Sequence, residues 1–382
     1  MSRTPLRVAV LSWRDPRHPE AGGSEVYVEE VARGLVRAGH EVTVITARPP
    51  GLPRREVLEG VRHRRSGGRL TVYLHGLWWV ALHGRRTDVV VDVINGLPFG
   101  TPLVRRRGVV ALVHHVHREQ WRMIYPGWRG RFGWWVESVV TPWLYRGVRH
   151  VTVSGTSRDD LVALGRRPER VDVVRNGLAA RARAAHRAPE PRVVVLSRLV
   201  PHKQVEHVLD AVAALRAEHP DVRVDVVGRG WWGPQLLEHA RSLGVEDLVT
   251  FHGWVEADER DRLLARARVL ALPSVREGWG IAVTEAAAQG TPAIGYRVSG
   301  GLTESVVDGV TGWLVDGPEE LTRTLGEVLA GRLDVDAAGE AARERVAELD
   351  WGRTAREFED VLLEVARRGR ARPLRVSPGR RR

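Results

Sequence analysis

Glu277 and Glu285 stand eight residues apart in a stretch, 273–316, whose other landmarks are glycines. Gly278 and Gly280 follow the first acid, and Gly300-Gly301 lie beyond the second. Two carboxylates so placed can work as a general acid and base pair or accept hydrogen bonds from sugar hydroxyls; they could equally be surface acids on a loop and a helix. The glycine-rich loop runs into a short Ala-rich helix, and such a loop presents backbone N–H groups and a positive dipole end, which suits a phosphate. Glu285 falls more than a turn inside that helix, beside Ala286-Ala287-Ala288, a run that argues close packing. A phosphate loop and a carboxylate for hydroxyls together point to a nucleotide-activated sugar.

A phosphate site also needs cations. The string SRLVPHK, 197–203, leaves a strand end and enters a helix, and in open α/β sheets the carboxyl ends of strands face the ligand crevice. Arg198 can fork onto phosphate oxygens and Lys203 can supply a compact charge. The chain holds 58 Arg and one Lys, so Lys203 marks a place where a point charge is wanted, or is a chance survivor of an Arg-biased composition. Together the two could neutralise a diphosphate leaving group without a metal; alone they would read as solvated loop cations. His114, His115 and His117 follow a strand at 109–113, but two are adjacent and no acid sits at helical spacing from a His pair. They read as polar groups lining a cleft, or as structural histidines. A GxGxxG string at 228–233 has Trp231 and Trp232 in its turn, Pro234 behind it and no acid ending the next strand, so it reads as a tight turn rather than a dinucleotide site. Asp334-Val335-Asp336 lies between late helices and reads as surface, not as a metal anchor.

The elements that must position these groups alternate. A strand at 6–12 is followed by a Pro/Arg-rich loop, Gly22-Gly23, and a helix with Ser24 as N-cap in which Tyr27, Val31 and Leu35 share a face and Gly39 marks the end. A strand at 41–46 follows, and such alternation predicts a parallel sheet with helices on both faces. Further strands are expected at 89–94, 109–113, 150–153 and 171–174. A second series runs through strands at 193–197, 222–227, 249–252, 269–272 and 292–298, with helices at 205–218, 234–243, 258–267, 319–330 and 337–367. The chain divides into an N-terminal Rossmann-like acceptor-side domain (1–180), a linker (181–192), a nucleotide-sugar-binding domain (193–350), a C-terminal helix (351–368) and a disordered basic tail (369–382).

At 382 residues the chain is long enough for two cored domains. The absence of cysteine excludes disulfides, zinc ribbons and thiol nucleophiles and is compatible with a reducing compartment. The first apolar run is too short for a secretory signal, and no stretch approaches the ~18 apolar residues of a spanning helix. The net charge of +12 is unevenly spread: residues 1–188 carry +16, 189–366 carry −12 and 367–382 carry +8. A uniform nucleic-acid binder should not divide this way, whereas a basic half can face an anionic membrane. Residues 120–150 mix five Trp, two Tyr and five Arg with one acid, a composition found at membrane interfaces, in base-stacking surfaces and, for part of the Trp, in cores.

With these pieces in order, the sequence resembles a retaining glycosyltransferase of the two-Rossmann-domain GT-B type, family 4, over nearly its whole length. The resemblance rests on Glu277 to Glu285 as the family's E-x7-E motif, GGLTESVVDGVTGWLV after it, SRLVPHK, the RNG of 175–177 and GGSE at 22–25. Trp279 stands where many members have Phe. The resemblance implies an α/β fold with two Rossmann-like domains facing across a cleft. It implies that Arg198 and Lys203 hold the donor diphosphate, Glu277 the sugar hydroxyls, and backbone groups of Gly278, Trp279, Gly280 and Ile281 the sugar and phosphate. Glu285 would bind the ribose, His252 to Val255 would flank the base, and Gly22 and Gly23 would let the first domain approach the diphosphate. His114, with His117 as second choice, would sit at the reacting sugar on the acceptor side. The expected activity is metal-independent, cofactor-free hexosyl transfer from a nucleotide sugar with retention, in the cytoplasm at the inner face of the membrane, onto a lipid-linked acceptor. A GT-B epimerase or phosphorylase, and a nucleic-acid-binding protein resting on the tail and the Arg/Trp segment, are the rival readings.

Overall fold

The computed structural model describes residues 4–179 and 182–370. Strands β1 (Arg7–Leu11), β2 (Glu41–Thr46), β3 (Arg55–Leu58), β4 (Val61–Arg65), β5 (Val89–Val93), β6 (Val109–Leu112), β7 (Arg149–Thr152) and β8 (Val171–Val173) form one sheet in the order β3-β4-β2-β1-β5-β6-β7-β8. Strands β9 (Arg192–Leu196), β10 (Arg223–Val227), β11 (Val249–Gly253), β12 (Val269–Leu272), β13 (Ala293–Tyr296) and β14 (Gly312–Val315) form a second, in the order β11-β10-β9-β12-β13-β14. Every pairing is parallel except β3 with β4. Each strand alternates its side chains between two buried faces, which is why runs such as VVVDV and RVVVL are apolar almost throughout. In the first sheet Val8, Val10, Val44 and Val91 pack under helix Gly23–Arg37, while Ala9, Leu11, Ile45 and Val90 pack under helix Thr71–His83. The fold is therefore two parallel-sheet α/β domains, as expected.

Several elements depart from the sequence expectation. β3 and β4 were not expected, because VRHRR shows no apolar alternation. It alternates nevertheless: Val61, His63 and Arg65 point inward, and the buried Arg65 guanidinium is neutralised by Asp15 at 2.5 Å and Glu56 at 2.8 Å. Helix Thr71–His83 was also not expected. Ser24 is not the N-cap of its helix. Gly22 holds that position, and Glu25 reaches back to accept from the Gly22 N–H at 2.7 Å, so the acid three residues on does the capping. The helix foreseen at 337–367 is two helices, Val335–Val346 and Trp351–Arg370. Asp334 caps the first by accepting from the N–H groups of Asp336 (3.2 Å) and Ala337 (2.9 Å). The last helix runs through Gly369 and Arg370, which were expected to begin the disordered tail; the rest of that expected tail, 371–382, lies outside the described residues.

Helix Trp351–Arg370 follows the second sheet in sequence but is packed on the first. Phe358 and Leu362 lie in the same cluster as Tyr27, Val31 and Val91, and buried Glu359 meets His40 at 3.1 Å. The chain thus passes between the two sheets twice, once through the linker and once ahead of this helix. Phe358→Ala should therefore cost the first domain about 3–5 kcal/mol; calorimetry should show that loss in its unfolding transition, and an unchanged transition would mean that the helix is not part of this core.

His150 in β7 adds a pH dependence. Burial, with Arg166 adding repulsion, pushes its ring down to about 3 from 6.5. The native state keeps the ring neutral, so its contribution is full above pH 6.5 and is lost as the pH falls toward 3. His150→Phe should flatten the acid limb of a stability-versus-pH curve by up to about 1.4 kcal/mol per pH unit; a limb as steep as wild type would rule this out.

Candidate active site

The carboxyl ends of both sheets face one another, and the loops leaving them meet along a seam. From the second domain, β9 runs into Ser197-Arg198 and then a tight turn, Pro201–Lys203. Gln204 closes the turn in the left-handed region, with φ 46° and ψ 41°. That conformation is unfavourable for a residue with a side chain, so the surrounding packing must hold it. The result is that Lys203 points at Glu277, with Nζ 2.5 Å from Oε1 and both side chains 13% exposed. Gly228 and Gly230, the first two glycines of the GxGxxG string, back this loop. A Cβ on either would lie 1.9 Å from the Ser197 carbonyl oxygen or 2.0 Å from that of Leu199, so their bareness serves loop packing.

Glu277 is fixed through its backbone as well. Its N–H donates to Ser299 at 2.9 Å and its carbonyl accepts from Gly301 at 3.1 Å, which ties the acid to the Gly300-Gly301 turn. Gly280, at φ 86°, caps the helix Ile281–Ala288. Glycines also permit the meeting of the two domains. A Cβ on Gly278 would fall 2.4 Å from the His114 carbonyl oxygen, one on Gly22 3.0 Å from Arg198 Nε, and one on Gly23 3.0 Å from Ile281 Cδ1. Trp279 crosses the seam altogether. Its ring is 6% exposed and packs in the first domain's core with Val153 and Val174. A charged clasp lies alongside. Glu304 accepts from the N–H groups of Gly155 (3.1 Å) and Thr156 (2.7 Å) at the start of helix Gly155–Ala163, and Arg276 pairs with Asp160 on the same helix.

The local field is positive. Burial and the neighbouring Arg14 push the Arg198 guanidinium down to about 10, against the pull of Glu25 and Glu277. His202 is pushed down to about 2 by burial and then by Lys203 and Arg198. His115 is held well below 6.5 by burial, with His117, His202 and Lys203 adding to the effect. Glu25, missed as a site residue, is the counterweight. It is buried beneath Gly22 and accepts from Arg14 Nε at 3.1 Å and Ser24 Oγ at 2.8 Å, and its acidity is raised by Arg14 and Arg198 against the cost of burial. The spacing Gly22-x-x-Glu25 was the available signal.

Arg198, Lys203, Glu277, Gly22, Gly23, Gly278, Ile281 and His114 are thus brought to one seam. His114 is buried, its ring edge-on to Tyr27 at 5.2 Å and pushed down to about 4 by desolvation, with Nε2 lacking a hydrogen-bond partner. Ser157 donates to its carbonyl at 2.9 Å. His117 is held by Glu137, which accepts from its Nδ1 at 2.9 Å and from Trp121 Nε1 at 2.6 Å. Glu137 sits in a π-helical turn, Val136–Val140, a local widening that the sequence did not announce. The remaining expected residues have other partners. Glu285 pairs with Arg260 at 2.7 Å, His252 Nε2 with Asp225 at 2.7 Å, and Val255 packs against the core beneath β12. Two cations, a half-buried carboxylate and a ring of backbone groups can bind a phosphorylated, hydroxyl-bearing ligand.

Comparison with known proteins identifies the family. The family model for glycosyl transferases group 1 matches residues 179–345, and that for glycosyltransferase family 4 matches residues 21–181. The chain is 30% identical to D-inositol 3-phosphate glycosyltransferase of Salinispora tropica, over 96% of this chain and 87% of that protein. It is 32% identical to a GDP-mannose-dependent alpha-(1-6)-phosphatidylinositol monomannoside mannosyltransferase of Mycolicibacterium smegmatis, over 85% of this chain and 90% of the other. The fold superposes on sucrose-phosphate synthase from Thermosynechococcus elongatus with a TM-score of 0.81 at 20% identity, covering 95% of this chain and 99% of that one. The chain belongs to the family 4, group 1 type of glycosyltransferases and is a hexosyl-transferring enzyme of GT-B architecture.

Proposed function

We propose that the enzyme moves a hexosyl group from a nucleotide sugar to a lipid-linked acceptor, with retention and without a metal, at the cytoplasmic face of a membrane. The observation that carries this reading is the Lys203–Glu277 pair at 2.5 Å with Arg198 beside it under Gly22. Lys203 and Arg198 take the diphosphate oxygens, and Glu277 accepts from the sugar hydroxyls. As the sugar C1–O bond to phosphate breaks, its electron pair goes to the phosphate and is stabilised by these fixed cations and the backbone N–H groups of 278–281. The acceptor oxygen bonds to C1 on the face the phosphate leaves, and its proton passes to the departing phosphate oxygen. Glu285 exchanges Arg260 for the ribose hydroxyls. The buried, neutral His114 offers a hydrogen bond to the transferred sugar, and the segment 252–255 borders the base. The charge a metal would supply in other transferases comes here from Arg198 and Lys203. The Mycolicibacterium relative, named for GDP-mannose and a phosphatidylinositol mannoside, supports a lipid-linked acceptor and a GDP-sugar donor.

A panel of UDP-, GDP-, ADP- and dTDP-sugars, followed by NMR of the product's anomeric configuration, tests the reading directly; an inverted anomer, or no donor turned over, would count against it. Lys203→Ala and Glu277→Ala should each lower kcat by about 10²–10³-fold while leaving the thermal transition in place. Lys203→Arg should stay impaired, since a planar fork does not fit the pocket opposite Glu277; wild-type turnover by that variant would show that only the charge matters.

A further inference from the structure

The face of the first sheet opposite helix Gly23–Arg37 is covered by helix Thr71–His83 and by the helical run from Arg118 to Leu144. Their inward residues, among them Val72, Val80 and Tyr145, pack on Leu11, Val90 and Val109. Their outward residues are apolar too. On the first helix Leu70, Leu74, Trp78 and Leu82 recur every four residues and are 56–73% exposed. On the second run Trp128, Phe132, Trp135, Val139 and Trp143 follow the helical repeat and are 51–72% exposed. The two are linked at one end, where Arg69 at the start of one donates to Tyr125 ahead of the other at 2.6 Å. Tyr145 at the far end accepts from the N–H groups of Gly100 and Thr101 at 2.8 and 3.1 Å. A helix that is apolar on both sides normally has something on both sides.

Charge says what that is. Ten arginines between residues 66 and 147 are exposed, and none of the four carboxylates there is: Asp92 and Glu137 are buried, Asp88 and Glu119 partly covered. We infer that this face inserts into an anionic lipid surface, with the Trp, Phe and Leu side chains at the acyl boundary and the arginines among the headgroups. A nucleic acid would use the arginines and the rings but gains nothing from Leu74, Leu82 or Val139. A second copy seated on the same face would set like charges against each other. No helix among the described residues is long and apolar enough to cross a membrane, so the attachment is to one leaflet. The surface belongs to the domain opposite Arg198 and Lys203, and the inference holds whether or not the acceptor is itself a lipid.

The test uses the full-length chain with phosphatidylcholine vesicles, alone or with about 30% phosphatidylglycerol, floated at physiological salt. Wild type should float with the anionic vesicles only, and bromine-labelled acyl chains should quench its Trp emission. Trp78→Glu combined with Phe132→Glu should lower the bound fraction about ten-fold and abolish the quenching, with an unchanged thermal transition. Flotation of the double variant equal to wild type, or binding without quenching, would overturn the proposal and assign attraction to charge alone. Wild-type dimerisation by light scattering that the double variant loses, or wild-type binding to single-stranded DNA with no binding to vesicles, would overturn it in favour of those partners.

Discussion

Gly278 lies against the carbonyl of His114 at a distance that no side chain allows, and the rest of the site depends on that approach. It brings the loop of 277–281 to the carboxyl end of β6, draws Trp279 into the first domain's core, and sets Gly22 on Arg198. The seam is therefore shaped by the absence of Cβ atoms at Gly22, Gly23 and Gly278. Bulk there would hold the two sheets apart whatever the charges did.

The approach has an electrostatic cost, because it removes Arg14, Arg198 and Lys203 from water together. Each is offset locally: Glu25 serves Arg14 and Arg198, and Glu277 serves Lys203. The histidines of the seam stay neutral instead of adding charge. An anion that displaces the Glu277 carboxylate from Lys203 meets a cation already stripped of solvent, so less of its binding energy is spent on desolvation. Glu304, just after the Gly300-Gly301 turn tied to Glu277, also caps helix Gly155–Ala163 of the opposite domain, so the loop of 277–281 is coupled to the first domain.

The parallel strands were legible because buried strands must be apolar throughout, and β2 and β12 fall at the expected bounds. The seam residues were legible where chemistry restricts the residue type: a lone Lys in an Arg-rich chain, a Glu just ahead of a Gly-x-Gly loop. What was hidden is what works by pairing. β4 was invisible because its inward Arg65 is neutralised by Asp15, fifty residues away. The capping role of Glu25 was assigned to Ser24 because a hydroxyl is the commoner cap. Glu137 and Glu304 gave no sign, since each acts on a residue distant in sequence. The break at 347–350 did carry a local signal, Asp350, which accepts from the Arg353 N–H at 2.8 Å at the start of the last helix, whereas the return of that helix to the first sheet depends on tertiary contacts with Tyr27 and Val31.

On the proposed reading, fixed cations and not a bound metal receive the diphosphate. Calorimetric titration of UDP and of GDP into chelator-treated full-length protein addresses it most directly. One of the two should bind at a single site without added metal, and Lys203→Ala should weaken it about ten-fold or more. Binding that appears only when Mg²⁺ or Mn²⁺ is restored, or that is untouched in Lys203→Ala, would contradict it.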